Sequence, residues 1–130
     1  MEQLFYLYRT ENYWNETKEI CSKRIPHGVI AIRKELWADP IIFRYAVSIC
    51  SPKDNFNKKL GRIKALNRLD SDKQSSICST EKFSNISLQT VVNHRMGLIN
   101  TDVGLEKAIK DSSERWKDFV KSYTTQHFKE

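Results

Sequence analysis

The chain has few cysteines, no long apolar run and no catalytic signature, and each absence narrows what it does. Cys21, Cys50 and Cys78 are odd in number and lie 29 and 28 residues apart. That spacing fits neither a disulfide framework nor a zinc site. All three are expected as reduced thiols, with Cys50 a core residue at the end of a strand. No run approaches the roughly 20 apolar residues of a membrane span. The opening Met1-Glu2-Gln3-Leu4-Phe5-Tyr6 lacks the basic and apolar regions of a signal peptide. A cytoplasmic protein with no membrane contact is expected, so the glycosylation triplets at Asn15 and Asn85 are chance. His27, His94 and His127 have no metal-ligand spacing, and there is no HExxH, Walker loop or nucleophile elbow. Glu16 with Glu19, and Asp70 with Asp72, lack the partner that would make a catalytic dyad and read as surface charge. The expectation is a protein without catalytic residues, metal or cofactor.

What is present suits one domain, residues 1–130, with 39% hydrophobic residues, enough for one core. Lys and Arg number 22 against 16 Asp and Glu, a net charge of +6. That excess favours an anionic partner, whether nucleic acid, nucleotide or acidic protein. A plain soluble basic surface is the other reading.

Leu4 to Tyr8 reads as a strand, and Val29 to Ile32 as a second. Thr10 to Arg24 between them reads as a short helix, ended by breaks at Pro26 and Gly28. Asp39-Pro40 marks a turn, with Trp37 just before it. Ile41 to Cys50 is the clearest strand. From Phe43 it alternates, with Phe43, Tyr45, Val47 and Ile49 on one face and Arg44, Ala46, Ser48 and Cys50 on the other. The second face is small and partly polar, suited to light cover or to a site.

Ser51-Pro52 then changes the period from 2 to 3.6, with Ser51 as N-cap, Pro52 in the first turn and Asp54 favouring the dipole. Phe56, Leu60, Ile63 and Leu66 share an arc of about 120° and are expected to face the core. Lys58, Gly61, Arg62, Ala65 and Arg68 lie on the far side. Gly61 costs about 1 kcal/mol relative to alanine inside a helix, which a close approach by a ligand or backbone would offset. Asp70 to Lys82 reads as a loop. Phe83 to Met96 reads as a short helix capped by Ser84 or Asn85 and ended by Gly97. A last helix begins at Asp102, with an apolar stripe of Leu105, Ala108, Ile109, Trp116, Phe119, Val120 and Tyr123. The fold class is therefore α+β: a small antiparallel sheet of about three strands, packed by a basic central helix and a C-terminal helix.

Candidate ligand residues follow from chemistry. Lys58, Arg62 and Arg68 supply a point charge and two planar donor forks for phosphate, or else a solvated helix face. Asn93 offers an amide for a base edge, and His94-Arg95 a base or phosphate contact, or else a polar helix end. Phe83 offers a stacking ring, or a core side chain.

The strand and the stretch Cys50 to Leu69 resemble small phage-encoded proteins in which a strand leads into a K-D-x-F-x-x-K-x-G-R-type helix, here Lys53 to Arg62. Among them the chain is most similar to the first family of Thoeris anti-defence proteins, phage sponges for cyclic ADP-ribose-type signals and, in some members, cyclic oligonucleotides. The resemblance covers about 20 residues closely and about 80 loosely. It implies a phage counter-defence protein acting in the host cell cytoplasm. Such a protein is a homo-oligomer, a dimer or higher, that sequesters a cyclic nucleotide immune signal at subunit interfaces without cleaving it. The family's aromatic and amide, some ten residues apart, correspond to Phe83 and Asn93, and Arg62 lies on the signature helix. The family also uses arginines near its C-terminal region. This chain has only Arg115 there, with Lys107 and Lys110 as substitutes. The alternative is an anti-CRISPR-type or nucleic-acid-binding phage protein that inhibits a host defence effector through its basic helix. An enzyme that cleaves the signal would need a general base or metal site, and neither is legible. A host-takeover protein acting through protein contacts would use the basic face for solubility alone.

Overall fold

The computed structural model describes residues 2–35, 42–49, 58–96 and 103–128. Four strands form one antiparallel sheet in the order β1-β2-β3-β4, with β1 Gln3–Trp14, β2 Ile20–Glu35, β3 Ile42–Ile49 and β4 Ser76–Ser79. Helix α1, Lys58–Leu69, packs on one face. Helices α2 Thr80–Asn85, α3 Leu88–Met96 and α4 Val103–Phe128 pack on the other. The class is α+β as expected, with one strand more.

The segment expected as a short helix is instead the far half of a long β1–β2 hairpin. Tyr13, Trp14, Ile20 and Cys21 are seven apart in pairs, a helical spacing. They are also mirror images about residue 17, which is the hairpin reading: Trp14 pairs with Ile20 and Tyr13 with Cys21. Asn15 decides the matter locally. Its Oδ1 accepts from the Thr17 N–H at 3.0 Å, the Glu19 N–H at 2.9 Å and the Thr17 hydroxyl at 2.8 Å. These bonds close the turn, with Lys18 in the left-handed region at φ 63°.

Pro26 and Gly28 do not break the chain. The register slips between Leu7, opposite Gly28, and Tyr8, opposite Pro26, so His27 is a bulge residue. A bulge is where a strand accepts a proline that has no N–H to give. Gly28 is needed for close approach. A Cβ there would lie 2.8 Å from Ile49 Cδ1, 2.9 Å from the Ser48 carbonyl oxygen and 3.2 Å from Leu7 Cδ1.

Strand β3 alternates as expected. Phe43, Tyr45 and Val47 are buried in the main core, with Ile49 packed against it. The opposite face is fully covered rather than open: Ala46, with Val29 and Ala31 of β2, packs under Ala65 and Leu69 of α1. Cys50, Ser51, Pro52, Asp54 and Phe56 lie outside the described residues, as do Trp37 and the Asp39-Pro40 turn.

Helix α1 is turned relative to the sequence reading. Leu60 and Ile63, expected in the core, are 49% and 43% exposed. Ala65 and Leu69 are fully buried and Leu66 is partly buried. The sheet face under α1 is lined by Val29, Ala31 and Ala46, and the helix lays Ala65 and Leu69 on it. Arg68 also turns inward, donating from Nη1 to the Val47 carbonyl at 2.7 Å.

The stretch after α1 is ordered rather than a plain loop. It holds β4 and the start of α2. Arg33 pairs with Asp70, and Arg44 pairs with Asp72 at 3.0 Å and donates to Ser75 Oγ at 2.7 Å. Both acids are exposed, as surface charges should be. The single helix expected from Phe83 is two. Ser79 caps α2, accepting from the Lys82 N–H at 3.4 Å, and Ser87 caps α3, accepting from the Thr90 N–H at 3.1 Å. Gly97 and Asp102 lie outside the described residues.

The stripe of α4 is as expected. Leu105, Ala108, Ile109, Trp116, Val120 and Tyr123 are buried, and Phe119 packs beside them. Burial pushes the Tyr123 phenol up to about 12, so it stays neutral in the core. Burial also raises the Cys78 thiol, which keeps this free cysteine protonated and inert. The helix covers the free edge of β1 as well. Ser112 Oγ accepts from the Tyr8 N–H at 3.1 Å and donates to the Tyr8 carbonyl at 2.8 Å. Asp111 accepts from the Thr10 N–H at 2.8 Å. An exposed strand edge is thereby satisfied by side chains of one helix.

A candidate anion-binding groove

The turn between α2 and α3 is tied to α4 by Trp116, whose indole N–H donates to the Ile86 carbonyl at 3.0 Å. Beside that tie, a groove of about 610 Å³ lies between the start of α3 and α4. Leu88, Ile109 and Trp116, all buried residues of the core, form its floor. Lys107, Lys110 and Lys117 stand on its rim, with Glu106 among them, and Ser87 at the start of α3 closes one end. A second hollow of about 450 Å³ continues past Ser87 and Lys117 to Lys121.

The lysines follow from the sequence of α4. At about 100° per residue, Lys107, Lys110, Lys117 and Lys121 fall within about 80° of one another, and the run rises about 21 Å along the axis. All four are exposed, as cations must be when one face of the helix is buried in the core. Glu114 lies in the same arc and approaches Lys117 at 3.7 Å. Ammonium groups above an apolar floor suit a ligand with anionic oxygens and an apolar or planar body.

The sequence-derived ligand residues do not converge. Arg62 is exposed on α1, on the opposite face of the sheet from the groove. Lys58 opens the same helix, with its side chain outside the described residues. Arg68 is held by the Val47 carbonyl. Phe83 is fully buried, stacked on Phe43 at 4.7 Å and edge-on to Tyr123 at 5.7 Å. Its ring has no face left for a base, which corrects the stacking role. Asn93 and Arg95 lie on α3, their side chains outside the described residues. Arg115 lies at the β1 edge, donating from Nη2 to Ser112 Oγ at 3.1 Å.

Of the groove residues, Lys107 and Lys110 are the substitutes for the family's arginines, and Lys117 and Lys121 have no ligand role in the sequence reading. Their shared arc, opposite an unambiguous apolar stripe, was the signal that joins them. Among the described residues no three His, Cys, Asp or Glu side chains are grouped to hold a metal ion. The chain matches no protein-family model, and no curated protein or solved structure matches it.

Proposed function

We propose that the chain is a non-catalytic binding protein that holds a phosphate-bearing nucleotide signal, of the cyclic ADP-ribose or cyclic oligonucleotide class, in the α3–α4 groove and removes it from solution. The observation that carries this reading is the groove itself, three lysines over an apolar floor. Its volume of about 610 Å³ lies within the range of about 300–1,000 Å³ of small-molecule pockets. The resemblance of Cys50 to Leu69 to phage sponges supports the same reading. It adds a counter-defence role in the host cytoplasm and a homo-oligomer as the working form. Sequestration acts by mass action, and a nanomolar signal requires about −12 kcal/mol of binding free energy. Charge-assisted hydrogen bonds to phosphate supply the strongest single contributions.

Titration calorimetry with a panel of cyclic nucleotides tests the reading. A triple Lys107→Glu, Lys110→Glu, Lys117→Glu variant should retain its fold and lose at least about a hundredfold in affinity, roughly three reversed charges at about 1 kcal/mol each. Unchanged affinity in that variant removes the groove from the function. The length of the lysine stripe favours a second reading, a polynucleotide lying along α4 or an inhibited effector that normally holds one. Binding by that mode falls steeply with salt, in proportion to the phosphates contacted. A nucleotide in the groove involves fewer charges and a shallower slope.

A further inference from the structure

A second cluster of positive charge lies on a different side of α4. Arg115 is about 120° round the helix from the middle of the lysine stripe. Three elements meet there. Tyr8 comes from β1, Arg24 from β2 opposite Thr10, and Arg115 from α4. The Arg24 guanidinium carbon lies 5.0 Å from the centre of the Tyr8 ring, and that of Arg115 lies 5.1 Å from the same centre. Arg115 also lies 5.4 Å from the Phe5 ring. Two cations thus share one aromatic ring.

Like charges converge only when something holds them, and here the holders are aromatic. A ring face attracts a guanidinium by about 0.5–1 kcal/mol at exposed sites and more when desolvated. Burial first, and the Arg24 charge second, push the Arg115 guanidinium below its ordinary value. Two acids of the same elements are engaged elsewhere. Glu11 pairs with Arg9, and Asp111 accepts from the Thr10 N–H. Neither Arg24 nor Arg115 forms an ion pair among the described residues. Arg115 uses Nη2 for Ser112 and, at 3.5 Å, for the Tyr6 carbonyl. Among the described residues that leaves Nη1 and Nε of Arg115 as donors, and Arg24 is exposed and gives no hydrogen bond there.

We infer that Arg24 and Arg115, both held at the Tyr8 ring, form an oxyanion site that takes a phosphate group. Two planar forks match the oxygens of one phosphate, and the arriving charge removes the repulsion between the cations. Burial of Arg115 against Phe5, and its tie to Ser112, fix one fork in advance. The exposed Arg24 offers the second fork. The same chemistry serves inorganic phosphate, a mononucleotide or the backbone of a single strand.

The test is titration calorimetry of the full chain with inorganic phosphate, adenosine monophosphate and a short oligothymidylate, all at one ionic strength. Arg24→Gln is the variant of choice, because Arg24 is exposed and forms no ion pair among the described residues. At least one probe should bind the wild type, and Arg24→Gln should weaken it by about tenfold or more. Arg24→Gln should lower the affinity by the same factor in the Lys107→Glu, Lys110→Glu, Lys117→Glu background, where the groove is disabled, which separates this site from the function proposed above. Oligothymidylate binding more tightly than both small probes supports the site and names a polynucleotide as the source. Equal or tighter binding of the small probes supports it with a free phosphate group as the source. No binding by any probe overturns the inference, and so does an affinity that Arg24→Gln leaves unchanged.

Discussion

The orientation of α1 gives a sharp experimental contrast, because hydrophobicity and packing rank its residues in opposite orders. If Leu60 were the core residue its type suggests, Leu60→Ala would cost about 2–5 kcal/mol. It is 49% exposed, so truncation returns only about half of a leucine's transfer free energy of about 1.5–3 kcal/mol. The expected loss is about 1 kcal/mol, with no sealed cavity to add. Ala65 is fully buried between the helix and the Val29, Ala31 and Ala46 surface. Ala65→Leu adds three carbons where no space is left, and overpacking of that kind costs about 1–3 kcal/mol or more. Urea denaturation of the two variants reads both values directly. The expected order is Ala65→Leu well below Leu60→Ala, the reverse of a hydrophobicity ranking. Leu60→Ala losing more than Ala65→Leu would refute the packing of α1 on the alanine-lined sheet.

Three further outcomes follow from the fold. Gly28→Ala should lose about 1–3 kcal/mol, since its Cβ would sit 2.9 Å from the Ser48 carbonyl, which is backbone and cannot step aside; a melting temperature equal to wild type would contradict the close approach. Ser112→Ala removes one hydroxyl that serves both the N–H and the carbonyl of Tyr8, and should cost about 1–3 kcal/mol with faster amide exchange at Tyr8. Exchange at Tyr8 that stays at the wild-type rate would show the edge to be protected otherwise. Stability should be constant below pH 10 on account of Tyr123 and fall as pH rises from 10.0 towards about 12. The folded state holds that proton more tightly than the unfolded one, so deprotonation favours unfolding, by about 1.4 kcal/mol per unit of separation. Tyr123→Phe should flatten that part of the profile in alkaline denaturation, and an unchanged profile would exclude Tyr123 as its source.

How much of this was legible in the sequence depended on whether a residue's type and its place agree. In β3 they do: Phe43, Tyr45, Val47 and Ile49 alternate with smaller side chains, and only a strand buries them together. In α4 the stripe from Leu105 to Tyr123 is long enough to allow one reading. The hairpin was hidden because Tyr13, Trp14, Ile20 and Cys21 satisfy a helical spacing and a mirror symmetry at once. Only the bonds of Asn15 choose between them. Pro26 signals a break unless the partner strand supplies a bulge, which sequence spacing does not reveal. In α1 the difference has a single cause. Hydrophobicity points Leu60 and Ile63 to the core, yet the surface receiving the helix is made of Val29, Ala31 and Ala46, and it accepts Ala65 more readily than Leu60. For the candidate site, the net charge of +6 indicated an anionic partner. Placement is a tertiary property, and it put Arg62 on one face of the sheet, buried Phe83 in the core and brought Lys107, Lys110 and Lys117 together at a groove.

The most direct measurement on the proposed function is recovery of bound ligand. The purified protein is incubated with cyclic ADP-ribose isomers and cyclic dinucleotides, washed free of excess, then heated, and the released small molecules are identified by mass spectrometry. Intact nucleotide released only on denaturation, and absent from the Lys107→Glu, Lys110→Glu, Lys117→Glu variant, is the expected result. Chemically altered nucleotide, or none retained by the wild-type protein, would contradict a binding protein that sequesters its signal in the α3–α4 groove.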